Sequence, residues 1–272
     1  MEPATILLIC ISLLLAGAMV GFLAGLFGVG GGGISVPVFF EVFMLLGYPP
    51  DIAMPVSVGT SLAVMIPTSL KSAHGHYKIG TLNTKILKIW ALPILFGVIF
   101  GSVIAKFADA KIFQAVFVFV ASINAAKLLI GRSSWRINRT LPKIWPMRIA
   151  GFIIGILSSI MGIGGGALTN LFLTLNGLDI KKAISTSAGV GVLIALPGTV
   201  GYSLAGYGIE GLPAYNIGFI SPFAVILTIP TSVLTAKFGV SLVHRWPKRL
   251  LEISFGLFLI FVSLRFIIAI IL

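Results

Sequence analysis

The chain has 272 residues, of which 58% are hydrophobic and only 10% are charged. A soluble domain carries about 25% charged residues, so this composition excludes an ordinary soluble fold and indicates a polytopic α-helical membrane protein. The net charge of +12 is concentrated in short stretches between apolar runs, which is typical of cytoplasmic loops and argues against nucleic acid as a partner. The single cysteine, Cys10, excludes an intrachain disulfide framework and a cysteine-based metal site.

Apolar segments follow one another along the chain, and the longest are long enough to cross a bilayer. The eight longer segments lie at residues 5–27, 53–70, 89–105, 112–130, 149–161, 183–205, 214–236 and 250–271. Two shorter segments lie at residues 34–46 and 167–177. The residues before the first segment include Glu2 and no basic side chain, so a cleaved signal peptide is not expected.

Each half of the chain contains one glycine cluster inside an apolar stretch. The first cluster reads Gly28-Val29-Gly30-Gly31-Gly32-Gly33 and the second reads Gly162-Ile163-Gly164-Gly165-Gly166, so their starts are separated by close to half the chain. Glycine costs roughly 1 kcal/mol relative to alanine in a helix interior. Each cluster therefore predicts a helix that breaks near the middle of the membrane, and two such breaks predict a duplicated fold.

Further matches in the same order support this duplication. The matched pairs are Gly21-Phe22-Leu23-Ala24-Gly25 with Gly151-Phe152-Ile153-Ile154-Gly155, Asp51-Ile52 with Asp179-Ile180, Thr60-Ser61 with Thr186-Ser187, and Ala105-Lys106-Phe107 with Ala236-Lys237-Phe238. The predicted domains are a first transmembrane repeat at 1–130, a basic cytoplasmic linker at 131–148 and a second transmembrane repeat at 149–272.

The distribution of lysine and arginine predicts the topology. It places the linker in the cytoplasm and both termini outside. This arrangement requires each glycine-broken segment to enter and return on the same side, as a broken helix or re-entrant hairpin, and it makes the two repeats inverted relative to each other. The predicted fold class is thus an all-α polytopic membrane protein with inverted repeats of about four to five membrane segments each.

The two glycine clusters are the candidate substrate-binding site. A broken helix exposes backbone N–H groups and the positive end of a half-helix dipole, and glycines let an anion approach the amides closely. Small hydroxyls follow each cluster and would add further donors. The candidate substrate-binding residues are Gly30, Gly31, Gly32, Ser35, Thr60, Ser61, Gly164, Gly165, Gly166, Thr169, Asn170, Thr186, Ser187 and Lys71.

Other interpretations of these residues stay open. The spacing of Gly28, Gly30 and Gly33 fits a dinucleotide-binding loop, but the helical, apolar context argues against a nucleotide. The clusters could instead permit close helix packing, which is the interpretation favoured for Gly21 and Gly25, and the hydroxyls could bond carbonyls within their own helices. Glu41 is a proton carrier or an interface residue. Lys71, His74, His76, Lys127 and Arg265 are expected to snorkel to the membrane surface, and Lys71 has a second interpretation as an anion contact.

A family resemblance rests on a set of motifs distributed along the chain. These are the run from Gly21 to Gly33, Thr60-Ser61-Leu62, the second glycine cluster, Ser185-Thr186-Ser187-Ala188, Pro197, Gly198 and Tyr202. Over essentially the whole chain they resemble the sulfite exporter TauE/SafE family. The resemblance implies a carrier of the bacterial or archaeal inner membrane that moves sulfite, sulfonates or related small anions, often outward. A related group of thiosulfate importers relies on several cysteines, which Cys10 alone does not match.

We therefore expect a secondary transporter, with export as the expected direction, that moves a small sulfur-containing anion such as sulfite or an organosulfonate across the bacterial inner membrane by alternating access. The alternative is an anion channel or a carrier for another small organic anion. The expected partners are the small anionic substrate and the lipid bilayer, and the sequence leaves assembly into a homo-oligomer open. No enzymatic activity, metal or cofactor is expected, because the chain has no catalytic motif or metal-ligand spacing.

Overall fold

A computed structural model describes residues 3–27, 32–130, 137–138, 140–213, 215–245 and 247–271. Over these ranges the chain forms ten α-helices: α1 (Pro3–Phe27), α2 (Gly32–Leu45), α3 (Pro50–Lys78), α4 (Thr84–Phe107), α5 (Ala110–Ile130), α6 (Ile144–Met161), α7 (Gly166–Leu175), α8 (Ile180–Ala205), α9 (Pro222–Arg245) and α10 (Lys248–Ile271).

Several of these helices are long and apolar enough to cross a membrane. Among the described residues six satisfy both criteria, namely α3, α4, α5, α6, Lys182–Ala205 of α8 and Glu252–Ile271 of α10. The same part of the chain contains an isolated antiparallel bridge between Ile217 and Ile220 as its only β-pairing. The predicted class, an all-α polytopic membrane protein, is confirmed.

Several predicted segment boundaries differ from the observed helices, most clearly at the start of α9. The apolar segment predicted at 214–236 begins too early, since α9 starts only at Pro222. The preceding residues form a turn in which Gly218 has φ +56° and Phe219 is buried against Gly59 and Gly206. The hydrophobicity of this stretch therefore reflects burial of a turn and not a helix. At the linker, α6 already begins at Ile144.

The halves α1–α5 and α6–α10 interlock. Helix α1 packs along α9 and α6 packs along α4, so the first helix of each half lies against the fourth helix of the other half. Helix α3 packs against α8, and α5 packs against α10. Each of these four contacts joins one half to the other, so neither half buries its apolar faces alone.

Glycines make the crossed contacts close. In α6, an ideal Cβ on Gly155 would lie 2.7 Å from the carbonyl oxygen of Ile94 and 3.2 Å from the Cα of Gly97, both in α4. In α1, Gly21 lies against the backbone of Ser232 in α9. Small residues that let two backbones approach are typical of membrane helix interfaces. The packing role predicted for Gly21 is therefore confirmed.

A leucine at Gly155 is expected to force α4 and α6 apart. The atoms it would meet belong to the α4 backbone and move only with the helix, and overpacking of this kind costs about 1–3 kcal/mol or more. Thermal unfolding of the purified Gly155→Leu protein should therefore show a lowered Tm. The matched control is Gly75→Leu, because an ideal Cβ on Gly75 has nothing within 4 Å. A wild-type Tm for Gly155→Leu would contradict this account of the interface.

The short helices α2 and α7 end in the same way. Each is followed by a glycine with φ +82°, Gly47 after α2 and Gly177 after α7. In both halves this glycine and the next residue donate backbone hydrogen bonds back into the helix: Gly47 to Met44, Tyr48 to Phe43, Gly177 to Thr174 and Leu178 to Leu173. This is the Schellman type of helix end. The repeated helix end aligns Gly47 with Gly177 and defines the register of the two halves.

The same register continues through the next helix of each half, because it aligns Pro50, the start of α3, with Ile180, the start of α8. In this register Ser61 corresponds to Gly191, and Ser187 corresponds to Ser57. The sequence match of Thr60-Ser61 with Thr186-Ser187 differs from this register by about one helical turn. That match stays a prediction.

Candidate functional site

The second glycine cluster breaks a helix, as predicted. Helix α6 ends at Met161 and α7 begins at Gly166. Between them, Gly162 and Gly165 have φ +62° and +68°, a left-handed conformation that glycine adopts without a steric penalty. The N–H of Asn138 donates to the carbonyl of Leu175 at 3.2 Å. Helix α7 thus ends beside the chain that leads into α6, and the two form a hairpin that enters and returns at one end of the bundle.

The first cluster is described only in part. Gly30 and Gly31 lie outside the described residues, while Gly32 is the first residue of α2. An ideal Cβ on Gly33 would lie 3.6 Å from the Cδ1 of Ile163 in the second cluster. The start of α2 and the second break therefore meet inside the protein.

A serine chain links the two halves at this meeting point. The hydroxyl of Ser35 in α2 is hydrogen-bonded to the hydroxyl of Ser61 in α3. Ser61 Oγ donates in turn to the carbonyl oxygen of Gly162 at 2.9 Å. Both serines are buried. The structure thus brings Ser35 and Ser61 to the second glycine break, where they tie α2 and α3 to the turn that follows α6.

A narrow cleft reaches the same break from the end of the bundle where α3 ends and α8 begins. Its volume is about 40 Å³, which is space for roughly three water molecules because one needs about 10–15 Å³ by this measure. The lining residues are Met65, Ser69, Ser72 and His76 of α3, Ile184, Ser187, Ala188 and Gly191 of α8, and Gly164 and Gly166 at the break. The cleft therefore connects the surface with the N-terminus of α7.

Two glycines create the space at the inner end of this cleft. An ideal Cβ on Gly164 would lie 3.3 Å from the Cα of Gly191 and would collide with the methyl group of Met65. In the register of the helix ends, Gly191 takes the place of Ser61 and Gly165 takes the place of Ser35. The first half thus has two bonded hydroxyls where the second half has two glycines and a cleft.

Unsatisfied polar atoms surround the break. Ser158 Oγ at the end of α6, and Thr169 Oγ1 and Asn170 Oδ1 in the first turn of α7, have no hydrogen-bond partner among the described residues. Ser158 and Thr169 are fully buried, and Ser158 Oγ lies 3.3 Å from an ideal Cβ on Gly165. A buried polar group without a partner costs about 1–3 kcal/mol. Together with the positive dipole of the α7 N-terminus, this arrangement suits an anion.

Two of the predicted site residues, Thr60 and Thr186, hydrogen-bond to the backbone of other segments and do not line the cleft. Thr60 Oγ1 accepts a hydrogen bond from the N–H of Ser221, just before α9, at 3.1 Å. Thr186 Oγ1 accepts one from the N–H of Asn83, just before α4, at 3.3 Å, and donates to the carbonyl of Lys182 at 2.7 Å. Neither threonine lines the cleft. Each holds the start of the fourth helix of the other half.

The lysine and arginine residues considered in the sequence are not among the lining residues of the cleft. Lys71 is exposed on α3 and is not among the lining residues. Arg265 Nε forms an ion pair with Glu41 at 3.1 Å, and Lys127 Nζ donates to Thr174 Oγ1 at 2.7 Å. These two cations occupy equivalent positions when α5 and α10 are aligned at their starts, and each contacts the short helix of the other half. Over the ranges described, no three His, Cys, Asp or Glu side chains form a metal-binding group.

The sequence interpretation missed most of the cleft wall. Ser69, Ser72 and His76 follow Met65 at alternating helical spacings of i+4 and i+3, which places them on one face of α3. That stripe is visible in the sequence. The stripe lines a cleft only because α8 packs opposite it. The periodicity of one helix does not predict which distant helix will face it.

The fold and the site define a class: a multi-pass α-helical membrane protein whose broken helix meets a polar cleft. The sulfite exporter TauE/SafE family matches residues 13–266 of the chain, and the chain belongs to this family. The comparison confirms the resemblance that the motifs indicated, and it identifies the protein as a membrane transporter.

Similar proteins carry names of the same kind. The chain is 34% identical to a probable membrane transporter protein of Haemophilus influenzae, over 96% of this chain and 98% of that protein. It is 32% identical to a probable membrane transporter protein of Methanocaldococcus jannaschii, over 85% of each chain. It is 29% identical to the probable membrane transporter protein YdhB of Bacillus subtilis, over 70% of this chain and 77% of that protein. No solved structure shows significant similarity to the chain.

Proposed function

We propose that the protein is a secondary transporter of a small sulfur-containing anion, such as sulfite or an organosulfonate, and that the anion binds at the N-terminus of α7. The observation that carries this proposal is the pair of buried, unpartnered hydroxyls of Ser158 and Thr169 beside the glycine turn. A sulfite or sulfonate group spreads its charge over three oxygens, each of which accepts hydrogen bonds. Hydroxyls and helix N-terminal amides supply the matching donors without a charged side chain.

The basic residues support an orientation in the bacterial inner membrane. The cleft opens at the end of α3, and Lys78 and Lys85 flank the turn that joins this end to α4. Arg249, at the start of α10, donates to the carbonyl of Leu128 at the end of α5 at 2.8 Å, so further positive charge lies at this end of the bundle. Positive charge is typical of the cytoplasmic side. The cleft then faces the cytoplasm, and both termini are extracytoplasmic.

Alternating access follows from the difference between the two halves. The cleft reaches the break from the proposed cytoplasmic side. In this proposal the hydrogen-bonded chain of Ser35, Ser61 and Gly162 closes the other side. Crossed packing of α1 on α9 and of α4 on α6, with the common register of the helix ends, supports inverted repeats. Rocking of these repeats would open the serine chain and close the cleft. An inside-negative potential favours outward movement of an anion, which supports export.

Counterflow in proteoliposomes tests this function. Vesicles preloaded with unlabelled sulfite, sulfoacetate, sulfolactate or taurine should accumulate the same labelled compound, with saturation, for at least one of them. Thr169→Val removes a hydroxyl and keeps the shape of the side chain, so it should raise the KM roughly 5- to 150-fold, the equivalent of about 1–3 kcal/mol. Ser57→Ala is the control, because Ser57 Oγ donates only within its own helix, to Ala53.

Two results would count against this function. The absence of counterflow with all four compounds would remove the substrate assignment. Flux that neither saturates nor shows counterflow would instead indicate an anion channel, which remains the alternative.

A further inference from the structure

We propose that His76 is a second anion contact at the mouth of the cleft and that it makes anion binding depend on pH. This inference rests on the proposed function, because it needs the cleft to carry an anion. His76 lines the cleft together with Ser72 and Ser187 and is half-buried there. An anion entering from the surface would therefore pass His76 before it reaches the glycine break.

Hydrogen bonds fix the imidazole ring. Thr81 Oγ1 donates to the backbone carbonyl of His76 at 3.3 Å, and Ser185 Oγ donates to Thr81 Oγ1 at 2.8 Å. His76 Nδ1 lies 3.1 Å from Ser185 Oγ. These contacts hold the imidazole beside the start of α8, where it forms part of the cleft wall.

An imidazole at this position can act as a charge switch. Imidazole is the side chain that ordinarily changes charge within the physiological pH range. Its protonated form places a full positive charge at the mouth of a cleft whose other polar groups are neutral serines, and its neutral form does not. An anion is attracted only to the protonated form.

No other ionisable side chain lines the cleft among the described residues. The charged groups on the surrounding elements are exposed: Lys71 and Lys78 on α3, Lys85 and Lys88 on α4, Asp179 before α8 and Lys182 on α8. His74 is also exposed and lies outside the cleft wall. Since solvent screens exposed charges, they add a weak background field, whereas the charge of His76 changes inside the cleft.

The test measures sulfonate affinity as a function of pH. Methanesulfonate stays fully ionised from about pH 5 to pH 8, so any change in its affinity across that range comes from the protein. We expect the Kd of the purified wild-type protein, measured by calorimetry, to be roughly tenfold lower at about pH 5.5 than at about pH 8. His76→Gln should bind with a Kd that is independent of pH and close to the wild-type value at high pH. His74→Gln, the control, should keep the wild-type dependence.

A second variant, His76→Arg, tests the role of His76 independently of His76→Gln. His76→Arg carries a permanent charge, so its Kd should stay low across the same pH range. If both His76 variants retain the wild-type pH dependence, the role of His76 is overturned while the proposed function stands. If the wild-type protein binds no sulfonate at any pH, the proposed function is overturned and the inference falls with it.

Discussion

Replacing Gly164 with leucine is expected to abolish anion transport while the protein still folds in the membrane. Gly164 lines the inner end of the cleft, and a Cβ there already meets the methyl group of Met65 and the Cα of Gly191 at 3.3 Å. The remaining atoms of a leucine would occupy the cleft, whose volume is only about 40 Å³. The route between the surface and the α7 N-terminus would then be blocked.

Substitution of Gly164 tests the role of the glycine cluster in transport more directly than substitution of Gly165 does. Gly165 has φ +68°, so any other residue there is strained by about 1–2 kcal/mol, and a loss of transport could follow from misfolding. Gly164 is not among the glycines with positive φ. Its substitution therefore acts mainly through the volume of the side chain.

The measurement is counterflow per quantity of reconstituted protein, together with thermal unfolding of the same samples. Gly164→Ala should keep part of the activity, because the flexible end of Met65 can move away from a single methyl group. Gly75→Leu, with no atom within 4 Å of its ideal Cβ, should transport at the wild-type rate. Wild-type transport by Gly164→Leu would show that the cleft is not the substrate route.

Hydropathy and glycine content predict the membrane class and the second break, because both are local properties. All but one of the residues in Gly162–Gly166 are glycines, which is sufficient to end one helix and start another. The start of α9 is harder to predict. Phe219 and Ile220 have the hydrophobicity of a membrane segment, but they are buried in a turn against other parts of the chain, and composition does not distinguish the two.

The candidate site shows the same division between local and long-range information. The sequence singles out small polar residues near the clusters, and Ser35, Ser61 and Ser187 lie next to the second break or its cleft. Thr60 and Thr186 have the same chemistry, yet they bind the backbone before α9 and α4. Neighbouring residues on a helix point about 100° apart, so a shift of one residue decides whether a hydroxyl faces the site. The packing of α3 on α8 sets which face of each helix points there.

Removal of the Ser61 hydroxyl is expected to shift the protein toward the state in which the cleft is closed. Ser61 donates to the carbonyl of Gly162 and is bonded to Ser35, and in the proposed mechanism these contacts break when the side opposite the cleft opens. A buried carbonyl that loses its donor costs about 1–3 kcal/mol. Ser61→Ala should therefore move the equilibrium between the two states roughly 5- to 100-fold away from the observed one.

Thiol labelling can measure this shift because the chain has one native cysteine, Cys10. In a Cys10→Ala background, Ser187→Cys places a single thiol on the cleft wall, and its labelling rate reports how often the cleft is open. Adding Ser61→Ala should slow that labelling. Ser57→Ala, one helical turn away and bonded only to Ala53 of its own helix, should leave it unchanged.

Ser61→Ala in the Ser187→Cys protein distinguishes a serine chain that opens during transport from one that only stabilises the fold. If the serine chain only stabilises the fold, Ser61→Ala lowers the Tm and leaves the labelling of Ser187→Cys unchanged. If the chain opens during transport, labelling slows even in samples that remain folded. The second outcome is expected, because the bond from Ser61 to Gly162 joins residues 101 positions apart in different halves of the chain, and a rocking motion between those halves has to break it.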